Sequence, residues 1–354
     1  MAILADGESI ITGSNWENGE TTIKIWDKST GKFLKNLENH KIHVKCVSIS
    51  PDGQSMISGQ DHDILLWDIS TGKLLKRLEG HKYSVTSLTF SYDGQSIISG
   101  SDDTTIKLWD KSTGKLLKSF EGNEYVSSVA IAPDGESIIS GSWDHIKIWD
   151  KSTGKLLKNL KSHKCIVTSL AFSSDGQLII SGSKDNTIKI WIKSTGKLLK
   201  SLERHKGCVN CVSFSPDGYL IISGSDDTTI KIWDKLNGKL IKSLEGHKKS
   251  VNCLAFSPDG QSIISGSEDN TIKIWKKSSG KFFKSFKILA LNSHIALPPE
   301  MEFFLTNYPD FRCVHTIKNM ETDLSCNDML IMKIKDLNSM HKYVFLQRGA
   351  FELN

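Results

Sequence analysis

The chain has 354 residues, 38% hydrophobic and 24% charged, a composition that excludes disordered, fibrous and membrane-embedded classes. No apolar run approaches the roughly 18 residues that cross a bilayer, and the opening MAILADGES lacks the basic-then-apolar pattern of a signal peptide. Residues 1–287 hold 39 Lys and Arg against 32 acids and residues 288–354 hold 6 against 8, so the net charge of +5 is spread too thinly to mark a nucleic-acid stripe.

Self-similarity organises the chain. Trp26, Trp67, Trp109, Trp149, Trp191, Trp233 and Trp275 follow one another at 41, 42, 40, 42, 42 and 42 residues. The first period opens on a short stretch, Ala2–Leu4, with no Gly-His before it, and carries an insertion from Asn15 to Glu20. The second shortens its middle turn by one residue. The third, GSDDTTIKLWDKSTGKLLKSFEG, recurs almost word for word in later periods. The fourth is one residue short at its start and again at its middle turn, and puts Asn123 where a His recurs elsewhere. In the sixth, turns at Ser215-Pro216-Asp217-Gly218, Asp226-Asp227-Thr228, Lys235-Leu236-Asn237-Gly238 and Glu245-Gly246-His247 separate four segments rich in Val, Ile, Leu, Phe and Trp. These predict strands a to d at Gly207–Ser215, Tyr219–Ser225, Thr229–Asp234 and Lys239–Glu245. No segment sustains a helical period.

One four-stranded unit cannot bury both of its faces, so the units must stack. The expected fold is all-β, a seven-bladed β-propeller of four-stranded antiparallel blades over residues 1–287, with the first blade truncated in strand a as in a product shortened at its start. After Phe286 the text changes: five of the seven Met residues and one Gly, Gly349, lie beyond it, and Pro298-Pro299 marks a break. Residues 288–354 are expected to form a non-repeat C-terminal extension: a cap, a closing strand, or a decayed repeat with Lys335 in the place of Trp.

The Gly-His before strand a and the Trp-Asp closing strand c make residues 1–287 resemble the WD-repeat family. That resemblance implies a buried hydrogen-bonded chain of His, Ser, Asp and Trp inside each regular blade. The matching residues are His40, Ser58, Asp61 and Trp67; His81, Ser99, Asp103 and Trp109; His163, Ser181, Asp185 and Trp191; His205, Ser223, Asp227 and Trp233; and His247, Ser265, Asp269 and Trp275. An Asp-His-Ser set also suggests hydrolysis, but five copies of it suit a structural role better than one exposed nucleophile. Some relatives recruit ubiquitin-ligase scaffolds through an Arg two places after Trp-Asp. Here Ser29, Ser70, Ser112, Ser152 and Leu236 stand there, which argues against that role.

Other candidate chemistry is thin. Cys208-Val-Asn-Cys211 has metal or redox spacing, yet it falls on a strand, where residues three apart point to opposite faces. Cys46 and Cys253 share the position of Cys211, and Ser87, Ser128 and Ser169 hold it elsewhere, as in a small-residue packing slot. Seven scattered cysteines, odd in number, fit a reduced, intracellular and most simply cytoplasmic protein. His43 and His62 have no third ligand. The glycines are turn residues without a phosphate-loop Lys-Ser or Lys-Thr. Lysines on the outer strands guard sheet edges.

No cofactor, metal or catalytic set is expected. The chain reads as a non-catalytic scaffold that presents a propeller face to protein or peptide partners in a larger complex. The family geometry puts the d–a and b–c loops on that face. The positions before the recurring Val and beside the buried Asp are mostly polar there; Tyr125, Trp143, Ile166 and Cys208 are the exceptions and the expected partner-binding residues. A nucleic-acid-associated scaffold would need the Lys-rich loops to converge on one face, and a channel-site enzyme would need converging acids or a metal.

Overall fold

The computed structural model describes residues 1–3, 7–13, 23–37, 44–122 and 124–287. The expectations for Asn15–Glu20, His40, His43, Asn123 and residues 288–354 lie outside them. The chain divides into two units, Met1–Ala290 and Leu291–Asn354, and every described residue belongs to the first.

The pair of isoleucines in each strand b explains why the units stack. In strand b of blade 3, Ser96–Ser101, every residue is buried. Successive side chains of a strand point to opposite faces, so Ile97 packs toward blade 2 and Ile98 toward blade 4, both fully covered. Between blades 2 and 3, Ile57, Ile64, Leu66 and Leu78 meet Val85, Leu88, Phe90, Ile97 and Trp109. The same arrangement recurs at the later junctions, each signature Trp packing against the blade before its own. Among the described residues there are seven sheets of four antiparallel strands, each built from consecutive strands. Blade 6 has strand a at Val209–Phe214, b at Leu220–Ser225, c at Ile230–Asp234 and d at Leu240–Leu244. No helix occurs among the described residues.

The Gly after the recurring Ser of strand b sets the spacing between blades. A Cβ on Gly100 would sit 2.5 Å from Cγ1 of Val126 in the next blade, well inside van der Waals contact. On the face reached by the a–b turns, Lys111 pairs with Asp52 at 3.5 Å, Lys193 with Asp134 at 2.6 Å and Lys277 with Asp217 at 2.8 Å, each joining a blade to its predecessor.

Among the described residues the ring closes without a shared sheet. Blade 1 runs through Ala2–Ile3, Ser9–Gly13, Ile23–Asp27 and Phe33–Leu37, and blade 7 supplies its own four strands from Val251 to Lys287. Trp26 and Ile10 of blade 1 pack against Ile264, Ile272 and Ile274 of blade 7, with Met1 and Ile3 alongside. At the seam the Asp259 carboxyl is held below its ordinary value first by the Ser257 hydroxyl and the Gln261 N–H, with a smaller electrostatic contribution from Lys28 of blade 1, whose Nζ donates to the Gly7 carbonyl at 2.8 Å.

Candidate interaction face

The loops of the face are held by the polar chain running through each regular blade. In blade 6, Nδ1 of His205 lies 2.8 Å from Asp227 Oδ2 and Nε2 lies 2.7 Å from Ser223 Oγ, which accepts the Trp233 indole N–H at 2.9 Å. Asp227 also accepts the Lys206 N–H at 2.9 Å, the Thr229 N–H at 3.0 Å and the Thr229 hydroxyl at 2.6 Å. The carboxylate therefore ties the d–a loop to the b–c turn of its own blade. Thr229, and Thr105, Thr187 and Thr271 in the sister blades, complete the set, although sequence reading left them out. Blades 3, 5 and 7 repeat the geometry around His81, His163 and His247.

The tautomer follows from counting donors. Ser Oγ accepts from the indole and gives its own proton to Nε2, and Nδ1–H donates to Asp, so a neutral imidazole leaves nothing unpaired. Burial pushes His81 and His247 below the ordinary histidine value, outweighing their Asp partners. Burial alone would raise the Asp103 and Asp269 carboxyls, but hydrogen bonds from Thr, backbone N–H and His hold each at about 2. Both kinds of group bind protons more readily in the unfolded chain. Stability is therefore expected to hold above about pH 7, to fall as pH drops through about 6.5, and to fall again below about 4. Thermal melts from pH 8 to 3 check this; a stability maximum near pH 5 would contradict it.

Two blades differ from the regular pattern. In blade 2 Asp61 was assigned to the buried chain on sequence, and the structure corrects this. The shortened turn brings Asp63 to the register that Thr105 holds in blade 3, since Asp63 pairs with Glu79 as Thr105 pairs with Glu121. Asp63 is the buried carboxylate there and accepts from Arg77 Nε at 2.9 Å, while Asp61 takes a positive φ and offers its carbonyl to Val85. Trp67 still donates to Ser58 at 3.0 Å. In blade 4 the buried His is His145, at the start of strand c. Its Nε2 lies 3.2 Å from Glu124, its Nδ1 bonds Asp144, and Ser142 donates to Glu124 at 2.9 Å. The sequence reading missed His145, whose signal is a His standing where blades 3, 5, 6 and 7 have Thr.

Above this framework the rim residues form one arc. Where strands a of blades 4 and 5 begin, the chain bonds the preceding blade at the end of its strand b: the Val126 N–H donates to the Ser101 carbonyl at 3.0 Å and the Val167 N–H to the Ser142 carbonyl at 2.9 Å. Tyr125 thus follows Asp102 around the rim, and Ile166 follows Trp143. Cys208 continues the series, with its thiol 3.7 Å from the Lys184 carbonyl. The rings of Tyr125 and Trp143 meet edge to face, centroids 5.8 Å apart at 81°. Trp143 is 56% exposed, so the altered turn points it outward rather than into the blade. Ile166 and Cys208 are partly buried.

The family model of the WDR3 second beta-propeller domain matches residues 2–282. The chain belongs to this WD-repeat propeller family. No curated protein matches it. Propellers of this family are typically non-catalytic, and membership points to a scaffold or interaction role. No helix among the described residues of the WD-repeat chain is long and apolar enough to cross a membrane. In this propeller Cys211 stands opposite Gly224 on the neighbouring strand and is buried, and burial pushes its thiol well up; Cys46, opposite Gly59, is pushed up to about 12. Such thiols are poor metal ligands. Lys24, Lys107, Lys189, Lys231 and Lys273 of its strands c are buried between blades, so they add nothing to a basic surface. The far mouth of the WD-repeat channel is a cavity of about 450 Å³ lined by Phe90, Tyr92, Ile131, Phe172, Phe214 and Pro216 among others, none of them an acid or a base of the carboxylate, Lys, Arg or His kind.

Proposed function

We propose that this propeller is a non-catalytic scaffold that docks a protein or peptide partner on the arc containing Tyr125, Trp143, Ile166 and Cys208. The observation that carries the reading is Trp143, a large aromatic side chain 56% exposed at a turn where sister blades place Gln60, Asp102, Lys184, Asp226 and Glu268. It has no role in the blade's own polar chain, in which Trp149 donates to Ser140 at 2.9 Å. Tyr125 braces it from the side, so little conformational freedom remains to be lost on docking. Aromatic residues ringed by polar ones are where interface energy concentrates.

Affinity capture with quantitative mass spectrometry, comparing the intact chain with Trp143→Ala, tests this. A specific partner is expected to be lost from the variant, with its affinity reduced by about 2 kcal/mol or more. Partners retained equally by Trp143→Ala and Tyr125→Ala, with melting unchanged, would remove this face from consideration.

A further inference from the structure

The chemistry around the exposed Trp is acidic. Glu124 precedes Tyr125 and Asp144 follows Trp143 in the chain, and both carboxylates remain partly exposed, at 37% and 46% of their side chains. Asp102, on the blade 3 turn against which strand a of blade 4 begins, is 42% exposed. The Tyr125 hydroxyl is raised above its ordinary value by burial first, and then by negative neighbours including Asp102 and Glu124. Among the described residues Lys45 lies 3.4 Å from Asp102, Lys161 acts on Asp144 from farther off, and the His145 ring is enclosed between Glu124 and Asp144. A second observation is independent of charge. The Tyr125 Oη is buried and has no hydrogen-bond partner among the described residues, a state that buried hydroxyls rarely keep.

We propose that the corner formed by Trp143, Tyr125, Asp102, Glu124 and Asp144 receives a cationic side chain, lysine or arginine, of the docked peptide. This rests on the docking reading above and names what the docking segment must carry. An ammonium or guanidinium over an exposed indole is attracted by the ring's negative face, and that attraction strengthens as water leaves. The same group would face carboxylates that a neutral partner could only desolvate at a cost. An acidic segment would meet three like charges.

Random-peptide phage display against the whole chain, panned in parallel on Trp143→Leu and Trp143→Phe, tests the proposal. Selected peptides are expected to carry Lys or Arg. Replacing that residue in the synthetic peptide by norleucine or citrulline should weaken binding at least tenfold. Trp143→Leu should weaken it likewise, Trp143→Phe by only a few fold, and Asp102→Asn by a few fold with a shallower salt dependence. Peptides that need Trp143 yet tolerate norleucine or citrulline would overturn the cation inference and leave the docking face standing. Peptides indifferent to Trp143→Leu would overturn the docking reading itself. The substitutions in the peptide leave the protein's own folding untouched.

Discussion

Asp227→Ala is expected to lower the unfolding free energy by about 3–5 kcal/mol, the range seen when one partner of a buried charged network is removed. Four hydrogen bonds converge on this carboxylate, from His205, the Lys206 N–H and both donors of Thr229. Alanine leaves each of those donors facing a space too confined for free solvation, and the His205 ring loses the acceptor that fixes its tautomer. The disturbance then passes through Ser223 to the Trp233 indole, so the blade loses order from its loop to its core. Asn237→Ala is the control. Its side chain sits in an exposed c–d turn, where it accepts one N–H from Lys239 at 2.7 Å, and a few tenths of a kcal/mol is the scale for such a surface change. Denaturant melts of the two variants should separate clearly; equal losses would show that the chain of bonds does not carry the blade.

Trp26→Ala should be as damaging, and for a different reason. Removing a buried Trp costs about 3–5 kcal/mol through lost burial and the cavity left behind. Trp26 is 7% exposed and lies at the seam, where blade 1 meets Ile264, Ile272 and Ile274 of blade 7. At the other junctions the chain itself continues from one blade into the next, but among the described residues the seam is joined by packing rather than by chain continuity. The variant is expected both to lose stability and to self-associate, which light scattering would detect during a thermal ramp. A Trp26→Ala protein that stays monomeric and melts like the parent would mean that closure does not depend on this contact.

Most of the fold was legible because each blade is a local object: the Trp spacing, the Gly-His and Trp-Asp marks and the four turns all act within one period. The polar chain was legible for the same reason in blades 3, 5, 6 and 7. Blade 2 was misread because a turn one residue shorter moves Asp63, not Asp61, into the buried register, and a sequence aligned by residue type hides that shift. In blade 4 the substituted parts come from different elements, Glu124 from the d–a loop and His145 from the start of strand c, and their pairing exists only in three dimensions. The lysine of each Ile-Lys-Ile-Trp run looks like the solvent side of an alternating strand. In a radial stack strand c has a neighbouring blade on both faces, so Lys107, Lys189, Lys231 and Lys273 are about 8% exposed. Whether Trp143 pointed out or in could not follow from a turn of altered length.

Because all four strands of blades 1 and 7 are encoded side by side, opening the seam would break no strand pairing among the described residues and would uncover two complementary, non-identical surfaces. Within one molecule the tether of the intervening blades keeps these surfaces at high effective concentration, which favours the closed disc. Between molecules the same two surfaces could join head to tail, the blade 1 side of one chain on the blade 7 side of the next, a heterologous contact that generates larger rings or filaments rather than closed pairs. Concentration and destabilisation of the seam, rather than any new binding site, would decide between the solitary disc and such assemblies.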